Sequence, residues 1–124
     1  MPVFEEQVRI FNVPRQPYTV IESDSMIIYR GVSNIMDTNI MFKLPRPTFV
    51  YKIGMFGTFE KVEVYVTNAN GHIDLVFQDK YRNSYVDIGN FGIPLATHVE
   101  VVLHGNSGLR ELSVYKSKAG EMTP

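Results

Sequence analysis

The amino-acid sequence predicts an all-β fold, a single-domain antiparallel β-sandwich of about eight to ten strands. Apolar side chains recur at every second position along most of the chain, which is the spacing of a strand that buries one face. Turn-forming residues interrupt these runs about every 8–12 positions. No stretch carries the apolar stripe of an amphipathic helix, which has a period of about 3.6 residues.

Composition limits the classes of protein that remain. The 124 residues suit one domain, 1–124, and twelve basic against thirteen acidic residues give a formal charge of −1. This balance argues against a nucleic-acid partner, which requires clustered basic surface. The absence of cysteine excludes disulfides and thiolate metal sites. Met1–Glu6 is not a secretion signal and no apolar run approaches the roughly 18 residues of a membrane span, so we expect a virion or cytoplasmic location with no membrane partner.

Strands in the first half of the chain are predicted from alternation and from β-branched and aromatic residues. In the first of them, Phe4, Val8 and Ile10 share one face. Prolines in Pro14–Pro17 and Pro45–Pro47 have no N–H to donate, so they interrupt the ladder of hydrogen bonds. The predicted strands are Phe4–Ile10, Tyr18–Glu22, Ser25–Arg30, Ile40–Leu44 and Phe49–Ile53.

The second half of the chain alternates more regularly. Asn70-Gly71 lies between two alternating runs and predicts a hairpin. We expect further turns at the pairs Gly54/Gly57, Gly89/Gly92 and Gly105/Gly108, since glycine adopts a positive φ at little cost. The predicted strands are Val62–Val66, Ile73–Phe77, Tyr81–Ile88, Val99–Leu103 and Leu112–Val114, and 116–124 is predicted to be a polar tail.

Polar loop residues form the candidate ligand-binding set. A sugar-binding site combines polar side chains of this kind, which hydrogen-bond the sugar hydroxyl groups, with an aromatic ring beside them. Asn34 and Asp37 also offer oxygen atoms to Ca²⁺, but Asn and Asp commonly occupy turns because they cap local backbone, and no cofactor is predicted. The candidate set is Asn34, Asp37, Asn68, Asn70, His72 and Asn106.

Tyrosines on the polar faces of strands form a candidate interface. The chain has seven Tyr and eight Phe, more than a small core uses. Exposed tyrosine gives a large contact area at low entropic cost, for sugars or for protein partners, although packing at the edge of the core is the alternative. The candidates are Tyr65, Tyr81, Tyr85 and Tyr115.

No catalytic motif was found, and the chain is predicted not to be an enzyme. His98, Glu100 and His104 share strand parity, which admits a metal site or an acid–base pair on one face. Polar neighbours are also ordinary on a solvated sheet face, and His104 would lie about 20 Å from His98 along a straight strand. We therefore predict no metal site.

Three segments, Val62–Gly71, Thr97–Gly105 and Gly108–Tyr115, resemble the closing strands of galactose-binding-like (discoidin-type) jelly rolls. The resemblance covers about Phe49 to Lys116. It implies a jelly roll whose loops at one end bind sugar, lipid or protein, and whose members are usually non-catalytic. The chain departs from secreted members, which often carry a disulfide and exposed Trp, because it has no Cys and no Trp.

Two functions remain open. The first is a structural or interaction subunit, such as a phage capsid-decoration or tail accessory protein. It would act through contacts in a homo-oligomer or particle lattice, made by Tyr-rich faces and the terminal arms Met1–Glu6 and 116–124. The second is a carbohydrate-binding, lectin-like module.

Overall fold

The computed structural model describes residues 18–31 and 38–117, with the side chains of 81–84 left aside. Several predictions therefore lie outside the described residues: the strand Phe4–Ile10, the arm Met1–Glu6, the candidates Asn34 and Asp37, and the tail beyond Ser117.

The described part of the chain is all-β, and its strands pair antiparallel throughout. The hydrogen-bonded order is β1-β2-β6-β3-β4, with β5 paired to β3. Residues 18–31 and 38–117 include no helix that is long and apolar enough to cross a membrane. The strands are β1 (Thr19–Glu22), β2 (Met26–Arg30), β3 (Thr38–Asn68), β4 (Ile73–Ile88), β5 (Ile93–His104) and β6 (Gly108–Lys116).

The long strand β3 contributes to both layers of the sandwich. Its first part, 38–43, and its last part, 61–68, both pair with β5, while its middle part pairs with β6. β4 follows the other edge of β3 from Ile53 to Thr67. The β6 layer therefore consists of β1, β2, β6, the middle of β3 and the second half of β4. The β5 layer consists of β5, both ends of β3 and the first half of β4.

β3 changes its buried face where it passes between the layers. Its buried side chains include Ile53, Met55 and Phe59 at odd positions, and then Val62, Val64 and Val66 at even positions. Glu60 and Lys61, between these two runs, are both exposed. A strand that turns a corner in this way supplies apolar side chains to one core from two directions. The predicted β-sandwich is confirmed.

Residues 18–31 and 38–117 form fewer strands than were predicted there because several predicted strands are continuous. β3 alone contains the predicted strands Ile40–Leu44, Phe49–Ile53 and Val62–Val66, and β4 contains two more. The prolines of Pro45–Pro47 do interrupt the ladder, since no residue between Lys43 and Thr48 pairs with β5.

The glycines in the middle of the chain do not all mark turns. Gly54 and Gly57 lie inside β3, so the turn predicted there is wrong. Gly71 and Gly105 do occupy turns, where both have a positive φ. A glycine inside a strand indicates close approach by a neighbour, which is the case at Gly54.

One apolar core fills the space between the two layers. At one end of this core the buried ring of Tyr29, on β2, packs 5.0 Å from the ring of Phe42, on β3. The Tyr29 hydroxyl donates a hydrogen bond of 3.1 Å to the carbonyl oxygen of Lys43. This bond links the β6 layer to the first part of β3 in the β5 layer.

Candidate functional site

Exposed aromatic side chains gather on the outer surface of the β6 layer. Tyr51 and Phe56 on β3 are 40% and 42% exposed, and Tyr85 on β4 is 49% exposed. Tyr115 on β6 is half-buried beside them. We call Tyr51, Phe56, Tyr85 and Tyr115 the tyrosine face. Its members come from three neighbouring strands, so the sheet itself holds their spacing.

Tyr85 crosses the neighbouring strand at a glycine. Its Cα pairs with that of Phe56, and its side chain reaches diagonally over Gly54. A methyl group on Gly54 would lie 2.9 Å from Cζ of Tyr85 and closer still to its hydroxyl oxygen. The hydroxyl group of Tyr85 lies near enough to Tyr115 and to the carboxylate of Asp87 to interact with both. Residues of β4 and β6 are therefore joined across β3.

Two ring contacts connect Tyr115 and Tyr51 of the tyrosine face with Phe49 beside them. The Tyr51 ring lies 6.5 Å from that of Tyr115, and on its other side it stacks on Phe49 at 6.4 Å. Cations lie over two of the rings: Lys52 Nζ is 4.9 Å from the Tyr115 centroid, and Arg110 Cζ is 6.0 Å from that of Phe56. Such cations favour a fixed ring orientation.

Ion pairs border the tyrosine face. Lys52 Nζ lies 3.2 Å from Asp87 Oδ2, and Arg30 Nε lies 3.2 Å from Glu111 Oε1. The hydroxyl of Tyr85 faces this polar environment. Burial of its hydroxyl end raises the pKa of Tyr85 above its usual value, and contact with Tyr115 and Asp87 raises it further. The phenol is therefore neutral at physiological pH and can donate and accept hydrogen bonds.

The structure brings together two of the four predicted interface tyrosines, Tyr85 and Tyr115. Tyr65 lies apart from them in the β5 layer, where its hydroxyl donates to Glu63 Oε1 at 2.9 Å. Tyr81 is one of the residues whose side chains are not described. Sequence reasoning missed Tyr51 and Phe56. Phe56 has the opposite parity to the buried residues Met55 and Phe59. The alternation along β3 could therefore have identified Phe56 as exposed.

The predicted ligand loops do not form one site. Asn68 Oδ1 accepts hydrogen bonds from the backbone N–H groups of Asn70 and His72, so it caps the hairpin. The Nε2 of His72 lies 3.1 Å from Asp74 Oδ1. Asn106 is elsewhere: its N–H donates to Glu60 Oε1 at 2.7 Å.

Pairing along β3 gives the scale of this separation. Lys61 pairs with His104 and Asn68 with Ala96, so the two loops are seven residues apart along β3, about 23 Å. Asn106 therefore does not lie beside Asn68, Asn70 and His72.

The histidines of β5 do not form a metal centre. In the described ranges no three His, Asp or Glu side chains are placed to hold a metal ion. Glu100 is only 2% exposed and accepts a hydrogen bond from Asn39 Nδ2 at 3.2 Å, so it is not on a solvated face. His104 Nε2 lies 3.5 Å from Glu63 Oε2. Burial, with a smaller effect of Lys43, lowers the pKa of His98.

An open groove of about 420 Å³ lies at the corner between the layers. Charged and amide side chains line it: Lys61, Gln78, Asp79 and Lys80. It offers polar contacts, whereas the tyrosine face offers exposed rings beside polar groups, so we take the tyrosine face as the candidate site.

Comparison with known proteins gives a likeness of fold. No family model matches the chain, and no curated protein matches it. The module CBM32-1 of a family 31 glycoside hydrolase from Clostridium perfringens superposes with a TM-score of 0.56 at 15% identity, covering 85% of this chain and 97% of that one. A family 29 fucosidase from Ruminococcus gnavus, solved with fucose, matches with a TM-score of 0.49 at 12% identity, covering 86% of this chain and 21% of that one. The first likeness shows that the chain has the jelly-roll fold of CBM32-1.

Proposed function

We propose that this chain is a non-catalytic carbohydrate-binding module that binds sugars on its tyrosine face. The observation that carries the proposal is the exposure of Tyr51, Phe56 and Tyr85 on one sheet surface, beside hydrogen-bonding groups. Aromatic rings pack against the apolar C–H surface of a sugar, while neighbouring polar groups hydrogen-bond its hydroxyls. The ordered ring series Phe49–Tyr51–Tyr115 extends this surface along the sheet.

The likeness of fold is a second and independent observation that supports the proposal. CBM32-1 is, by its name, a carbohydrate-binding module of a glycoside hydrolase, and the present chain covers 97% of it. A glycan partner for this chain follows from that likeness only together with the tyrosine face, because a fold is compatible with many functions.

A glycan array followed by isothermal titration calorimetry tests the proposal. We expect the wild-type chain to bind saccharide, and we expect Tyr51→Ala and Tyr85→Ala each to weaken binding about tenfold or more, about 1.4 kcal/mol. Ile73→Ala is the matched control, because Ile73 is an equally exposed apolar side chain at the start of β4. Absence of any bound glycan, or tyrosine variants that bind as the wild type does, would overturn the proposal.

A structural subunit that works through protein contacts is the second candidate. Val20 and Ile21 on β1 are both more than 40% exposed, and apolar side chains on a terminal strand of the layer favour association. The virion location and the particle lattice stay predictions, and neither named neighbour is a virion protein. Light scattering distinguishes the candidates: a chain that is monomeric at high concentration and binds glycan would exclude association as its main function.

A further inference from the structure

We propose that Asp87 determines the charge preference of the tyrosine face: it neutralises Lys52, so that the face binds uncharged sugars in preference to acidic ones. This inference rests on the proposed function and names the ligand class for the same site. It makes Asp87 a specificity-determining residue that lies beside the rings of the tyrosine face.

The position of Lys52 makes its charge important. Its Nζ lies 4.9 Å from the centroid of the Tyr115 ring, within the area that a bound sugar would cover. An ammonium group there, without an anionic neighbour, would attract the carboxylate or sulfate of an acidic glycan. Lys52 comes from β3, one strand away from Asp87 on β4, so the register of the sheet fixes which anion it meets.

Asp87 supplies that anion. Its Oδ2 lies 3.2 Å from Lys52 Nζ, and the same carboxylate interacts with the hydroxyl of Tyr85. Two opposite charges at this separation leave little net field at the distance of a ligand. The carboxylate also repels an acidic ligand directly. Both effects act against uronic acids and sulfated sugars.

The other charges bordering the face leave this balance unchanged. Arg30 is paired with Glu111 at 3.2 Å, and Arg110 lies over the Phe56 ring, at the end of the face away from Tyr51. The Lys52–Asp87 pair is therefore the one that lies beside the Tyr115 end of the ring series.

Asp87→Asn removes the charge and keeps the shape. The amide has the same shape and can still interact with the hydroxyl of Tyr85, so Tyr85 keeps its position over Gly54 while Lys52 loses its anionic partner. The matched control is Asp74→Asn, which changes the net charge by the same amount at the hairpin, where Asp74 pairs with His72. Any effect of overall charge appears in both variants, whereas an effect of Lys52 appears only in the first.

The experiment compares galactotriose with trigalacturonate, two probes of equal length that differ in carboxylate content. Binding to the wild type, to both variants and to Lys52→Gln/Asp87→Asn is measured by calorimetry at about 50 and 500 mM salt, and arrays of other neutral and uronic acid oligosaccharides widen the comparison. We expect the wild type to prefer the neutral probe with little salt dependence. Asp87→Asn should raise affinity for the acidic probe about five- to tenfold at low salt, and the double variant should lose this gain.

The outcomes separate this inference from the proposed function. If the wild type binds neither probe and no glycan on the array, both the proposed function and this inference are overturned. If the wild type binds neutral glycans but Asp87→Asn gains nothing beyond the gain of Asp74→Asn, the inference alone fails. A wild type that prefers the acidic members of each pair also overturns the inference while leaving sugar binding intact.

Discussion

The hydroxyl end of Tyr85 lies directly over Gly54, although the two residues are 31 positions apart in the chain and on different strands. Gly54 is buried by this contact, and its cross-strand partners are Asp87 of β4 and Ser113 of β6. The small residues Gly54 and Ser113 leave room for the Tyr85 side chain to reach Tyr115. The geometry of the tyrosine face therefore depends on a residue that has no side chain.

Gly54→Ala is expected to move Tyr85 and to leave the sheet intact. The added methyl meets the end of a flexible side chain, which can swing outward, and the interactions of the Tyr85 hydroxyl with Tyr115 and Asp87 are then lost. We expect about a tenfold loss of saccharide affinity. The ring resonances of Tyr85 in an NMR spectrum report the movement whether or not a sugar binds. Gly89→Ala is the control, since a methyl there meets nothing within 4 Å.

Gly57→Ala is expected to destabilise the protein itself. Its methyl would meet the backbone of Gly108, with the carbonyl carbon at 3.2 Å and the oxygen nearer, and backbone cannot move aside as a side chain can. We expect a loss of about 1–3 kcal/mol in the free energy of unfolding, measured with urea. Gly108→Ala adds a methyl to the neighbouring strand in open space, so it should change stability by no more than about 0.5 kcal/mol. Equal effects of the two variants on stability would contradict the close packing of Gly57 against the backbone of Gly108.

Tyr29→Phe isolates the hydrogen bond between the two layers. The ring and its contacts with Phe42 and Tyr18 stay, while the bond to the Lys43 carbonyl is lost. Leaving that carbonyl without its donor should cost about 1 kcal/mol, measured by urea unfolding. Tyr18→Phe, in the same ring cluster, is the comparison, and a cost as large as that of Tyr29→Phe would show that the Lys43 bond has no special weight.

Stability should fall as the pH drops below about 6.5, in part because of His98. Its pKa in the folded protein is lowered by burial and by Lys43, so the unfolded chain binds a proton at His98 more readily than the folded one does. This contribution is absent above the unfolded pKa and complete once the pH is below the folded pKa. His98→Gln should reduce the loss of stability between pH 7.5 and 5.5, and Lys43→Gln should reduce it less. An NMR titration of His98 that shows an ordinary or raised pKa would contradict this account.

The alternation in the sequence was enough to predict the fold class and most of the strands. Val62, Val64 and Val66 fall on one face, and so do Val99 and Val101, because one face of each strand packs on the core. The joining of three predicted strands into β3 was not predictable in the same way. Alternation is a local signal, and a shift of parity at Glu60-Lys61 looks the same whether the chain turns back or only bends.

The candidate site was predicted only in part, for a related reason. Tyr85 and Tyr115 had the exposed parity of their own strands, but nothing local says that β4 and β6 lie on either side of the same stretch of β3. The predicted loop residues do not come together because Asn68 and Asn106 lie in turns at opposite ends of β5. Which polar residues share a site is decided by cross-strand pairing, and sequence spacing does not report it.

The continuity of β3 also bears on how quickly the molecule acquires its structure. Ile40 and Val64 both pair with Val101, from opposite sides, and they precede it in the chain by 61 and 37 residues. Neither end of β3 can complete its pairing until β5 is in place. Closing such large loops costs entropy before any contact repays it. We therefore expect refolding on the scale of milliseconds to seconds, with the final passage of β3 between the layers as its slow step.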